Sequence, residues 1–363
     1  MKVAIVGGGA CGLALARILE EENIDYDIFE KSLCGRKLLA SGNGKANLGN
    51  MNLSQDMYNA QFGYELVTKY HQKLLDFFKR IGLYIKVDKE GRIYPYSESS
   101  LSVLHCLMKR PLHRIENYPI QTICKINEKF YLNDVRGPYD YLVLASGSMA
   151  SFIKKKQENF NSYLTGLQLK MKPTMPSLVG FKLDCDFKRL NGVRIKCVAS
   201  LVQNQKKIYS EVGEVIFKID GISGICILNL SSIYARLENK SHCTISLDLI
   251  PDLNLTDPTY DDLTGILHPK LVEYFMAVPK EKLQDMLHNF SFQIIGVYDY
   301  EFAQVVSGGI DLSEIKPTLQ LKKDKHIFVG GEILDIDGMC GGYNLMFAFS
   351  CALKIGEELC NIK

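Results

Sequence analysis

Apolar positions along the chain follow two rhythms. Residues 2–6 (Lys-Val-Ala-Ile-Val) form a continuous, largely β-branched apolar run that ends in glycine, the pattern of a strand buried on both faces. Residues 10–22 then place Leu13, Ala16, Ile18 and Leu19 at helical spacing, and 26–29 read as a second strand closed by Glu30. The first thirty residues are therefore strand, turn, helix, strand. A polar, glycine-rich loop is expected over 31–52. A helix over 64–81 follows from Leu66, Tyr70, Leu74, Phe77, Phe78 and Ile81, and a hairpin over 84–94 turns at Glu90 and Gly91. Another helix over 100–109 and short strands at 120–126 and 130–132 precede a third buried strand, 141–145, which ends in Ser146, Gly147 and Ser148.

From about Phe152 the pattern changes. A charged run at Lys154, Lys155 and Lys156 leads into strand-like alternation at 177–183, 194–202, 214–219 and 243–249. Residues 257–290 read as mainly helical, divided by Pro269 and Pro279. Strand-like patterning returns after Ser291. A fourth apolar strand, 326–329, runs into Gly330, Gly331 and Glu332, and a helix over 344–360 closes the chain. No internal repeat or low-complexity linker is present. The order predicts an α/β domain built from both ends of the chain, with an insertion between them.

Composition narrows the class. The chain has 363 residues, 47% apolar and 23% charged, enough for two or three globular units at about 150 residues each. Forty-three basic and 41 acidic residues give a formal charge of +2, which excludes a polycation that coats nucleic acid along its whole length. None of the 11 cysteines forms a C-x-x-C pair or a zinc-type cluster with histidine, so reduced thiols in a cytoplasmic protein, and no metal, are expected. Gly7, Gly8 and Gly9 break the first apolar run and charge follows at once, so no signal peptide is expected. The longest uncharged stretches, 221–235 and 338–353, are too short and too polar to cross a bilayer, so no membrane partner is expected.

The chemistry begins at Gly7-x-Gly9-x-x-Gly12, between the first strand and the first helix, with Glu30 eighteen residues beyond. In such a fingerprint the first glycine makes the tight turn. The second lets the backbone approach a pyrophosphate, and the third lets the helix pack closely on the sheet. The helix N-terminus offers unpaired N–H groups to phosphate, and the acidic residue takes ribose hydroxyls. No second such fingerprint occurs. The chain returns at its far end to strand, two glycines and a helix opened by Gly341, Gly342, Tyr343 and Asn344, which suits an extended cofactor held by both ends of the chain.

Further motifs carry a resemblance. Residues 35–47 (Gly-Arg-Lys-Leu-Leu-Ala-Ser-Gly-Asn-Gly-Lys-Ala-Asn) resemble the GRKxxxSGGGRCN signature of the bacterial BaiN/RdsA, or aminoacetone-oxidase-like, flavoproteins. Residues 213–217 with 221–224, and 308–310 with 331–344, resemble that family's GELLFT…GxSGP and GGV…GExLDxxGxxGGYN segments. The matches follow in order along nearly the whole chain. The resemblance implies bound FAD in a split Rossmann-like domain over 1–155 and 300–363. It also implies an inserted β-rich, barrel-like substrate domain over 156–252 and a small helical part over 253–299. Lys45 and Ala46 depart from the usual Arg-Cys, Asn43 replaces a glycine, and Ser146-Gly147-Ser148 replaces Thr-Gly-Gly.

The implied FAD contacts are Gly7, Gly9, Ala10, Cys11, Gly12, Glu30 and Lys31 at the fingerprint. Arg36, Lys37, Ser41, Gly42, Asn43 and Asn47 follow in the signature loop, and Ala145, Ser146 and Gly147 after the third strand. At the far end they are Gly331, Glu332, Asp335, Gly341, Gly342, Tyr343 and Asn344. Lys45, Cys340 and Tyr343 are the catalytic candidates: a charge near the flavin, a thiol beside the glycines, and an aromatic flanking the ring. The expected reaction is hydride transfer between flavin and a substrate, with NAD(P)H as a transient donor. Two substrates compete: a small enone-like, steroid-like or amine molecule, and uridine of ribosomal RNA reduced to dihydrouridine. Basic runs at 109–114, 154–156 and 322–325 favour RNA, whereas the near-neutral charge disfavours it. A flavin-binding sensor or scaffold without turnover is the third reading.

Overall fold

A computed structural model describes residues 1–109, 112–151, 161–253 and 255–363. Arg110 of the first basic run, and the run Lys154, Lys155 and Lys156, lie outside the described residues.

The chain opens with β1 (Lys2–Val6), α1 (Ala10–Glu21) and β2 (Asp25–Phe29). The expected loop is in fact structured. It contains α2 (Arg36–Ala40), a tight turn at Ser41–Gly44 and β3 (Gly49–Asn50). These elements are too short to carry a period, and Leu38 is the one buried residue of α2. After α3 (Gln61–Arg80) come β4 (Ile85–Val87), β5 (Arg92–Pro95) and α4 (Ser100–Leu107). Next are β6 (Arg114–Ile115), β7 (Ile123–Ile126), β8 (Lys129–Leu132), β9 (Arg136–Tyr139) and β10 (Tyr141–Leu144). The middle of the chain holds β11 (Met171–Ser177), β12 (Phe181–Leu183), β13 (Arg194–Gln203), β14 (Lys206–Lys218), β15 (Gly221–Ser223) and α5 (Ile225–Arg236). It continues with β16 (Cys243–Asp248), α6 (Tyr260–Ile266), α7 (Pro269–Phe275), α8 (Leu283–His288) and β17 (Phe290–Val297). The last stretch is β18 (Val305–Ile310), β19 (Ile327–Val329) and α9 (Tyr343–Ile362).

Two compact units result: Met1–Thr174 with Val305–Lys363, and Met175–Gln304. In the first, a five-stranded sheet has the order β19-β10-β1-β2-β6, every neighbour parallel. Val3, Ala4, Ile5 and Val6 are buried because helices cover this sheet, as the continuous apolar run requires. The amphipathic α3 buries Leu66, Val67, Tyr70, Leu74, Phe77 and Phe78. Phe78 meets Phe349 of α9 edge-on at 5.2 Å. At Gly356 an added Cβ would stand 2.8 Å from Ile18 Cγ2, so the absence of a side chain lets α9 lie close against α1.

The second unit is a closed six-stranded barrel, β12-β15-β14-β13-β16-β17, antiparallel throughout. Its interior is aromatic: Phe187, Phe217, Phe290 and Phe292 pack edge to face. Leu263, Leu271, Phe275, Leu283 and Leu287 of α6, α7 and α8 belong to the same buried cluster, so residues 253–299 have no separate core. Pro269 opens α7 at a position where its missing N–H costs nothing, whereas Phe290 begins a strand and does not end a helix. No helix among the described residues is long and apolar enough to cross a membrane.

Candidate functional site

Open parallel sheets bind ligands outside the carboxyl ends of their strands. In the first unit that edge is formed by the segments after β1, β2, β10 and β19. The three fingerprint glycines meet different surroundings there. At Gly12 a Cβ would lie 1.9 Å from the Gly7 carbonyl oxygen, and at Gly7 (φ +114°) it would lie 2.3 Å from that of Ala145. These two are glycines because the protein's own backbone occupies the space. At Gly9, by contrast, nothing lies within 4 Å of an added Cβ, and its φ of −83° is open to any residue. The fold does not require a glycine at position 9. That leaves the N-terminus of α1, where Ala10, Cys11 and Gly12 begin the helix with no side-chain cap, open to a group approaching from outside.

Glu30, just past β2, stands at the same edge with both carboxylate oxygens hydrogen-bonded to the protein. Its Oε2 accepts from the Gly8 N–H at 2.9 Å, and its Oε1 accepts from the Ser32 N–H and hydroxyl at 3.0 and 3.1 Å. Lys31 keeps much of its length in solvent. Crowding of its ammonium by protein, then the charges of Lys37 and Arg36, lower its pKa to about 8 against the pull of Glu30. Cys34, absent from the expected set, packs its sulfur over Gly8. Burial and Glu116 push its thiol well up.

Lys37 has a role inside the protein. Its ammonium donates to the Ser148 carbonyl (2.9 Å), the Ser148 hydroxyl (3.1 Å) and Glu332 Oε2 (3.2 Å), while Glu332 Oε1 accepts from the Val306 N–H (3.2 Å). One cation thus ties α2 to the segments after β10 and β19. Gly147 belongs to the same turn, and Ser146 hydrogen-bonds buried Tyr163 at 2.8 Å. Cys11 lies against Gly331, and burial with Cys351 nearby raises its thiol far above the ordinary value.

A second cluster forms around the start of α9. An added Cβ on Gly342 (φ +100°) would come within 2.4 Å of Asn47 Oδ1, which is buried and accepts no hydrogen bond. The Asn344 side chain clamps Gly338, accepting from its N–H and donating to its carbonyl, both at 2.8 Å. Asn50 donates to the Gly341 carbonyl at 3.1 Å, and Tyr58 donates to that of Tyr343 at 3.0 Å. Asp335 Oδ1 accepts from the Gly308 N–H at 3.1 Å, and its carbonyl accepts from Asn59. Asn50, Tyr58, Asn59 and Ser148, like Cys34, are absent from the expected set. Their one signal was a polar or amphipathic residue beside a glycine or within an otherwise apolar stretch.

The three catalytic candidates are not brought together in this way. Lys45 is exposed, and its ammonium sits 2.8 Å from Glu98, which also pairs with Lys86. The Tyr343 hydroxyl donates to the Asn52 carbonyl at 2.8 Å, and burial raises its pKa, so this proton is committed internally. Cys340 is partly buried in the loop before α9. In the signature loop Ser41 donates to the Leu38 carbonyl at 2.6 Å. Gly42 and Asn43 are exposed with left-handed backbone, and Arg36 is exposed at the start of α2. Among the described residues no group of three or more His, Cys, Asp or Glu is placed to hold a metal ion.

The open space at Gly9 before the N-terminus of α1, with the Glu30 carboxylate at the same sheet edge, fits the phosphates and ribose that FAD would bring there. The profile of the HI0933-like protein Rossmann domain matches residues 1–358. A 3-dehydro-bile acid delta(4,6)-reductase of Clostridium scindens is 26% identical, with 98% of each chain covered. A ribosomal RNA dihydrouridine synthase of Haemophilus influenzae is 24% identical over the same shares. The solved Sdh1 complex of Mycobacterium smegmatis in its apo form superposes with a TM-score of 0.50 at 15% identity. It covers 99% of this chain and 68% of that one, a likeness of fold. The chain therefore belongs to the HI0933-like Rossmann family of FAD-dependent oxidoreductases.

Proposed function

We propose that this protein reduces a conjugated carbon–carbon double bond in a small apolar ketone, with NAD(P)H as electron donor. The observation that carries its cofactor chemistry is Gly9, a glycine with open space in front of it at the head of α1. Bound FAD would supply hydride transfer. The chain's own residues do the rest. The first turn of α1 receives the pyrophosphate through free N–H groups, with Lys31 adding positive charge. Glu30 takes the ribose hydroxyls. The N-terminal end of α9, at Gly341 and Gly342, would favour negative charge on a ring held beside it, and Asn47, packed against Gly342, would help to fix that end of the site. The Lys37–Glu332–Ser148 contacts hold the wall behind these groups.

The double-bond substrate is supported by the likeness to the bile-acid reductase over nearly the full length of both chains. Among the described residues of the basic runs, several are engaged by the protein itself and not free for a polynucleotide. His113 packs its ring against Tyr26, and Arg114 lies 4.0 Å from Glu116. Lys323 donates to the carbonyls of Leu167 and Gln168, and Asp324 interrupts its own run to pair with Lys125. The test is an anaerobic titration of the FAD-loaded protein with NADH and NADPH, followed by addition of a steroid dienone. Bleaching of the flavin by one nucleotide and its recovery on adding the enone is expected. A flavin that neither nucleotide reduces removes the donor. A reduced flavin that ribosomal RNA reoxidises with formation of dihydrouridine, and the enone does not, replaces the substrate.

A further inference from the structure

The barrel unit carries a cleft that the flavin reading does not use. Strand β13 pairs with β14 along its length, Arg194 opposite Ile216 through Gln203 opposite Lys206, but pairs with β16 only from Val198 onward. Beyond Asp248 no strand continues the ladder on that side. Leu249 and the segment joining α6 to α7 stand there instead, leaving a cleft of about 210 Å³. Leu249, Ile266 and Leu271 supply apolar lining, and Arg194, Lys196 and His268 supply polar lining.

The charges can be followed individually. Arg194 is paired with Glu214 at 2.9 Å, and Lys196 stands opposite the same glutamate in the strand register, so two cations share one anion. His268 accepts the Lys270 N–H through Nδ1 at 3.2 Å, which leaves its Nε2 as the proton-bearing nitrogen of the neutral ring. The rim therefore offers one net positive charge and an imidazole donor above an apolar lining. A single anionic group on an apolar body matches it, whereas a dianion would exceed the charge available and a cation would be repelled. At about 30 Å³ per molecule of liquid water, the cleft has room for about seven waters, or a ligand of about eight non-hydrogen atoms.

We infer that this cleft binds a short-chain monocarboxylate, its carboxylate at Lys196 and His268 and its alkyl chain on Leu249, Ile266 and Leu271. The site lies wholly within the second unit, and the inference stands whether or not the enone reading holds.

The probe is hexanoate, titrated into the FAD-loaded full-length protein by calorimetry and by saturation-transfer NMR, with hexanol and hexylamine as length-matched controls. Hexanoate is expected to saturate with a dissociation constant on the order of 0.1–1 mM, a range set by so small a ligand. Hexanol should bind several-fold more weakly and hexylamine not at all. Lys196→Gln should weaken hexanoate at least fivefold, and Lys206→Gln, at an exposed lysine outside the lining, should leave it unchanged. Neither exposed substitution should alter the flavin spectrum or the melting temperature, which separates a lost site from a lost fold. Absence of saturation overturns the inference, as does equal binding of acid and alcohol, or equal binding to the two variants.

Discussion

Replacing Gly9 with alanine separates a glycine kept for a ligand from one kept for the fold. The new methyl meets nothing within 4 Å, and the backbone at −83° accepts it. Alanine removes unfolded-state freedom, which stabilises by about 0.4–1 kcal/mol, but it is a poorer N-cap than glycine by a similar amount. The two offset, so the melting temperature should move by no more than about 2 °C. FAD binding should not survive so well. The methyl stands where the pyrophosphate must approach the N–H groups of α1. One lost charge-assisted hydrogen bond at about 1.5–3 kcal/mol weakens FAD roughly ten- to a hundredfold. Gly12→Ala is the opposite case. Its Cβ would fall about 1.5 Å short of an ordinary contact with the Gly7 carbonyl, so helix and strand must separate and the fold should fail before binding is measured. Thermal melts of both variants, with FAD titrated by fluorescence quenching, read the two effects apart. A Gly9→Ala protein that binds FAD like the parent would show that the pyrophosphate does not lie at α1, and one that melts far below it would show a structural glycine.

Lys31 gives a pH test. Its pKa of about 8 rises when a phosphate settles beside it, so binding takes up a proton at higher pH. FAD affinity should be flat up to about pH 8 and fall above it by up to tenfold per unit, and Lys31→Met should be weaker and flat; calorimetry in two buffers checks the proton uptake. Asn344→Ala removes both clamps on Gly338, at about 1 kcal/mol each, and should lower Tm by roughly 4–8 °C in calorimetry, with Asn344→Asp recovering part of the loss. Lys45→Ala should leave FAD affinity and turnover within about twofold in steady-state assays, because its ammonium is engaged by Glu98; a tenfold fall in kcat with FAD affinity intact would restore it as a catalytic residue.

The parallel sheet was legible because burial on both faces writes itself as an unbroken apolar run. β1, β10 and β19 each carry one, β2 is apolar only at Tyr26, Ile28 and Phe29, and α3 carries the complementary helical stripe. α5 was illegible for a related reason. Its residues are apolar nearly all round, so no polar face marks the period that would tell a buried helix from a strand. The first half of β14 failed in the other direction: residues 206–214 are polar or partly exposed, and only their pairing to β13 makes them a strand. β6 and β3, two residues each, are imposed by neighbours and carry no pattern of their own.

The same physics limits what the motifs of the candidate site say about the role of each residue. A motif records that a residue type is required; it does not record what requires it. Gly7, Gly9 and Gly12 look equivalent in sequence, yet two are filled by the protein's own carbonyls and one faces open space. Lys37, expected as a phosphate contact, spends its charge on Glu332 and Ser148. Tyr343, expected to flank the ring, is buried and hydrogen-bonded to Asn52, while its neighbour Asn47, from a loop three hundred residues away in sequence, presents the unpartnered acceptor beside Gly342. A side chain that the protein already satisfies is part of the frame, and one left unsatisfied at a buried position points to what the frame was built to hold. Gly9, where the protein leaves open space, is the position at which a substitution should change FAD affinity more than it changes stability.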